Sequence, residues 1–150
     1  MDSTHIEKII ERDVNSLGCI LWGVEFSGRL SNQTLRVFID KDNGISIEDC
    51  EKVSNHISKV LDAEEGLSED YSLEVSSPGL DRKFFKVDQY KDYKDSVLKV
   101  KFLTSESKYK TIIGRLTEVG ESSILIQEIN DNIEIGFDSI KKSILYSTEV

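Results

Sequence analysis

Apolar residues Ile6, Ile9, Ile10, Val14 and Leu17 recur at offsets 0, 3, 4, 8 and 11, with Glu7, Lys8, Glu11 and Arg12 between them. A single stripe at the 3.6-residue period predicts an amphipathic helix over 3–17, which Gly18 can stop by entering the left-handed region. The mixed apolar run at 19–26 predicts a strand buried on much of both faces. After a turn at 27–33, Leu35, Val37 and Ile39 alternate with Arg36, Phe38 and Asp40, the period-2 pattern of a return strand over 34–40. Asn43-Gly44 breaks the chain. Ser46, followed three residues later by Asp49, has the spacing of an N-cap and capping box, and Glu48 and Asp49 suit a first helical turn. Ile47, Cys50, Val53, Ile57, Val60 and Leu61 form the buried stripe expected of that helix, with Glu65-Gly66 as its stop. A third strand follows at 71–75. The order α-β-β-α-β places two helices on one face of a three-stranded sheet.

Beyond Ser76-Ser77-Pro78-Gly79, which holds the only proline, the texture changes. Strand-length apolar runs at 97–103, 111–119, 123–129 and 133–137 are separated by Gly, Ser and Asn-Asp turns, and a last short run spans 144–146. Five such strands predict a small β-barrel, preceded by one helical turn within 87–93. The fold class is therefore α+β, with an N-terminal α/β domain at 1–83 and a C-terminal barrel domain at 84–150.

Composition narrows what such a chain can do. Of its 150 residues, 38% are hydrophobic and 31% charged, a globular balance. No stretch approaches the ~20 apolar residues of a membrane helix, and no cationic, then apolar, leader opens the chain. A cytosolic protein without a membrane partner is expected. Cys19 and Cys50 are the only cysteines, and without a C-x-x-C pair they read as reduced core thiols. The net charge of −9 opposes indiscriminate binding to a phosphate backbone. It is unevenly spread, −8 over residues 1–83 and −1 over 84–150.

Candidate chemistry is sparse. His5 and His56 show no metal-ligand spacing, and Cys50 and His56, six apart, leave a helix on different faces. Asp40, Asp42 and Glu51 mimic positions 1, 3 and 12 of a calcium loop, but its obligatory glycine position holds Ile45 and a strand precedes it. No glycine-rich phosphate cradle follows any strand. No catalytic residue, metal, cofactor or small-molecule substrate is expected. Residues 86–115 instead carry eight basic against four acidic side chains. Lys99 and Lys101 alternate with Leu98, Val100 and Phe102 and so share one strand face; with Lys108, Lys110 and nearby Tyr90, Tyr93 and Tyr109 they form a candidate RNA-contact set. A solvated strand face is the competing reading.

The densest peptide is the ten residues at 73–82, Leu-Glu-Val-Ser-Ser-Pro-Gly-Leu-Asp-Arg. Pro78-Gly79 suits a tight turn, and Asp81 and Arg82 beside it are candidates for fixing the domain junction. With Val37-Phe-Ile-Asp-Lys41 and the run from Gly44 to Ser54, this peptide resembles the RimP family of ribosome maturation factors along nearly the whole chain. The resemblance implies an α/β N-terminal domain and an SH3-like or Sm-like C-terminal barrel. It also implies a bacterial, non-enzymatic factor that binds the immature small (30S) ribosomal subunit. The charge split adds the expectation of a monomer whose acidic half meets a basic ribosomal protein while the barrel lysines touch 16S rRNA. Two positions depart from the pattern: Lys83 replaces a proline often found after Leu-Asp-Arg, and Asp95-Ser96 replaces a glycine often found before the first barrel strand. An Sm-like RNA regulator is the alternative, and it would form rings.

Overall fold

The computed structural model describes residues 3–29, 32–64 and 71–146. The chain divides into two compact units, Met1–Pro78 and Gly79–Val150.

In the first unit, α1 (Ser3–Ser16) buries Ile6, Ile10 and Val14, and Gly18 at φ +84° turns the chain into β1 (Ile20–Arg29). Leu17, expected in the stripe, is exposed instead, because the helix ends one residue before it. Strand β1 pairs antiparallel with β2 (Asn32–Asp40) in a hairpin whose strands reach further into the 27–33 segment than the expected turn allows. A bulge between Leu21 and Gly23 breaks the alternation, so Leu21, Trp22 and Val24 are all buried. Leu35, Val37 and Ile39 of β2 are fully buried.

The next helix, α2 (Ile47–Asp62), starts on a complete capping box. Ser46 Oγ accepts from Asp49 N–H at 3.1 Å, and the Ser46 N–H donates to Asp49 Oδ2 at 2.9 Å. Its buried stripe is Val53, Ile57 and Leu61, with Cys50 half-buried against the same core. Ile47 departs from expectation: it is the first helical residue and is 80% exposed. The expected stop at Glu65-Gly66 lies outside the described residues. Strand β3 (Tyr71–Ser76) joins β2 in parallel, a pairing that needs a long crossover, here α2. The sheet order is β1-β2-β3, and α1 and α2 supply one side of a single apolar core with its buried face.

The second unit opens with residues 79–86 and the short helix α3 (Val87–Lys91). Five antiparallel strands follow: β4 (Val97–Leu103), β5 (Tyr109–Val119), β6 (Ser123–Gln127), β7 (Asn132–Gly136) and β8 (Ile140–Leu145), in the order β7-β6-β5-β4-β8. The unit begins after Pro78 rather than after Lys83, because the following segment is tied to β8. The Phe84 N–H donates to Ser143 O at 2.9 Å, and the Leu145 N–H donates to Arg82 O at 2.8 Å. Strand β8 begins four residues before the expected 144–146 run. Leu98, Val100, Ile112, Leu116, Ile124, Ile126 and Ile135 fill the core. Phe84 stacks on Tyr90 at 4.7 Å and 18°, and the Tyr90 hydroxyl bonds to the buried Ser143 hydroxyl, so α3 is tied to the sheet by both ring packing and a polar contact.

Candidate functional site

Strand β4 places Leu98, Val100 and Phe102 in the core and Lys99, Lys101 and Leu103 in solvent. Cross-strand register then decides what joins the lysines, since directly paired residues share a face. Lys99 is opposite Ile113 and Lys101 opposite Thr111 on β5, which puts Tyr109 and Arg115 on the same side. On the other flank Lys101 is opposite Lys142 of β8. The outer face thus carries Lys99, Lys101, Arg115 and Lys142, and none of these four pairs with a carboxylate among the described residues. The exposed Tyr109 ring has Lys101 Nζ 5.4 Å and a fifth cation, Lys141 Nζ, 4.7 Å from its centroid. Such a surface offers point charges for phosphates beside an aromatic plane for a base.

Two other expected members lie elsewhere. Lys110 is opposite the buried Phe102 and so leaves the sheet on the opposite side from Lys99 and Lys101. Lys108 sits in the β4–β5 turn, where its carbonyl accepts from the Thr104 N–H at 2.8 Å and hydroxyl at 2.9 Å. Conversely, Lys141 and Lys142 are absent from the sequence-derived set. Lys142 and Ile144 lie opposite Lys101 and Lys99 on the outer face, but the register shift between Lys101 and Phe102 sets Ile140 opposite the buried Phe102, so no unbroken period-2 pattern marks these lysines in the sequence.

The junction peptide is divided between the units. Pro78 closes the first, and Gly79, at φ +83°, opens the second; that backbone favours glycine. Asp81 is exposed. Arg82 lies with its guanidinium 5.6 Å from the Tyr93 ring centroid and its carbonyl bonded to β8, both within the second unit.

The groups with catalytic potential have structural surroundings. Burial raises the thiol pKa of both Cys19 and Cys50, which disfavours the nucleophilic thiolate. His56 Nε2 is 2.9 Å from Asp13 Oδ1 on α1, linking the two helices at the surface. Asp49, within the calcium-loop-like stretch 40–51, is occupied by Ser46 and by Lys41 Nζ at 3.0 Å. Among the described residues no three His, Cys, Asp or Glu side chains converge as a metal site, and no helix is long and apolar enough to cross a membrane.

The first unit has the α-β-β-α-β order, and its last strand runs into Ser76-Ser77-Pro78-Gly79. Residues 9–81 match the family model described as the RimP N-terminal domain. The match spans the second half of α1, all of α2, the three strands and the junction peptide up to Asp81, and it identifies the first unit as the N-terminal domain of the RimP family of ribosome maturation factors.

Proposed function

We propose that this protein promotes maturation of the small (30S) ribosomal subunit by binding the immature particle, with no bond-making step of its own. The match of the first unit to the RimP N-terminal domain carries the reading. Charge distribution supports a division of labour. The net −8 of residues 1–83 suits a basic ribosomal protein and repels bare rRNA, so it favours specificity over bulk affinity. The second unit, read as an SH3-like barrel, presents Lys99, Lys101, Arg115 and Lys142 to rRNA phosphates on one face. Joining two weak modules on one chain raises overall affinity where both sites can be reached together.

Sucrose-gradient co-sedimentation with purified small subunits, large subunits and whole ribosomes tests this reading. Selective recovery with free small subunits is expected. Indifference to all three particles at low ionic strength would overturn it. Gel filtration separates the Sm-like alternative, which requires a ring-sized oligomer rather than a monomer.

A further inference from the structure

One cavity, of about 290 Å³, lies within the second unit between the segment leading into α3 and strand β8. Its lining includes Lys83, Lys86, Lys141 and Lys142 and no carboxylate, in a chain with 28 acidic and only 19 basic residues. Its apolar surface comes largely from rings: Phe85 and Phe137 are half-exposed, while Tyr90 is buried beneath them. The Tyr90 and Phe137 centroids are 5.4 Å apart, and Lys83 Nζ lies 5.4 Å from the Phe85 centroid. The volume is near the lower end of small-ligand pockets, which are ~300 Å³ and larger, so it suits one flat group rather than an extended ligand.

We propose that this cavity holds a single unpaired nucleotide of RNA, its base against the Phe85 and Phe137 rings and its flanking phosphates on the lysine rim. Charge complementarity selects a polyanion, and the ring surface selects a base over a bare phosphate. Lys142 belongs both to this rim and to the outer face that carries Lys101. A strand leaving the cavity therefore runs onto Tyr109 and Lys99 without crossing an acidic strip. A duplex cannot enter, because its bases are stacked and paired. The assignment rests on the maturation reading for its biological RNA, but not for its chemistry.

The test uses the full chain, fluorescein-labelled decauridine RNA, and a fluorescein-labelled blunt RNA duplex of ten G·C pairs, read by fluorescence anisotropy at low salt. Single-stranded RNA is expected to bind at least about tenfold more tightly than duplex, and Phe85→Leu to weaken it about tenfold. Lys142→Glu, at an exposed position that does not depend on refilling the ring cluster, is expected to weaken single-strand binding by a similar factor. Equal affinity for duplex and single strand, or wild-type affinity in Lys142→Glu, overturns the proposal. So does displacement of the RNA by an equal concentration of oligoglutamate peptide, which would make the occupant an acidic protein segment. Co-sedimentation of the wild-type chain with small subunits separates the two readings. Retained co-sedimentation without single-strand binding removes the cavity assignment alone, whereas single-strand binding without co-sedimentation removes the maturation reading alone.

Discussion

Two single residues carry forces that can be measured in isolation. Asp49 accepts from the Ser46 backbone and hydroxyl and from Lys41, and these bonds hold its pKa at about 2 against an ordinary 3.8. Because the folded value is the lower one, this contribution to stability is complete above about pH 4 and disappears as pH falls towards 2. The stability gap between wild type and Asp49→Asn, followed by urea unfolding, is expected to close across that interval. Near neutral pH, Ser46→Ala is expected to cost about 1 kcal/mol through the lost helix cap. Asp95 is the second case. Its φ of +75° is a backbone that suits glycine, at one of the two positions where the sequence departs from the family pattern. Asp95→Gly is expected to raise stability by about 1 kcal/mol, read as a shift in the urea midpoint. The Ser46 cap was legible in the sequence because it depends on neighbours three residues apart. The strain at Asp95 was not, since it is imposed by the Asp95 N–H reaching Leu116 O at 2.6 Å on β5.

At the scale of elements, the same contrast between local and distant information decides which strands were foreseen. β4 occupies the predicted 97–103 because its alternation is unbroken and one face is buried. β8 was foreseen only in its last residues, since its register slips against β4 and its lysines hide the periodicity. This is why the sequence led to Lys99 and Lys101 but not to Lys141 and Lys142, and why Lys110 was included although its parity sends it to the other side. Pairing also places Lys101 opposite Lys142, a like-charge cross-strand pair. Lys142→Glu replaces repulsion by attraction and is expected to raise thermal stability, by about 0.2–1 kcal/mol, while it weakens RNA binding. Opposite changes in the two readouts distinguish a functional lysine from a structural one. Gly114 shows the tolerance of the sheet from its buried side. A Cβ there would lie 2.6 Å from both Gln127 O and Ile126 Cγ2, so Gly114→Ala is expected to destabilise the second unit by about 1–3 kcal/mol, measurable by thermal unfolding.

For the molecule as a whole, the charge asymmetry and the outer lysine face give a salt-dependent signature. If Lys99 and Lys101 each neutralise a phosphate, replacing both with glutamate is expected to weaken association with small subunits and reduce the magnitude of its log-log salt slope by at least about 2. Co-sedimentation across a salt series measures this directly, and an unchanged slope would exclude those two lysines from phosphate contact. The two-unit organisation was legible from the change of texture after Pro78. Its dividing line was not, because the segment at 79–86 has little regular structure and is assigned only by its bonds to β8. That organisation has a practical consequence. The sole tryptophan, Trp22, is buried in the bulge of β1, 8% exposed. Its emission is a private reporter of the α/β half, blind to melting of the β-rich half, so recording fluorescence and far-ultraviolet dichroism on one sample resolves whether the halves unfold cooperatively or in succession.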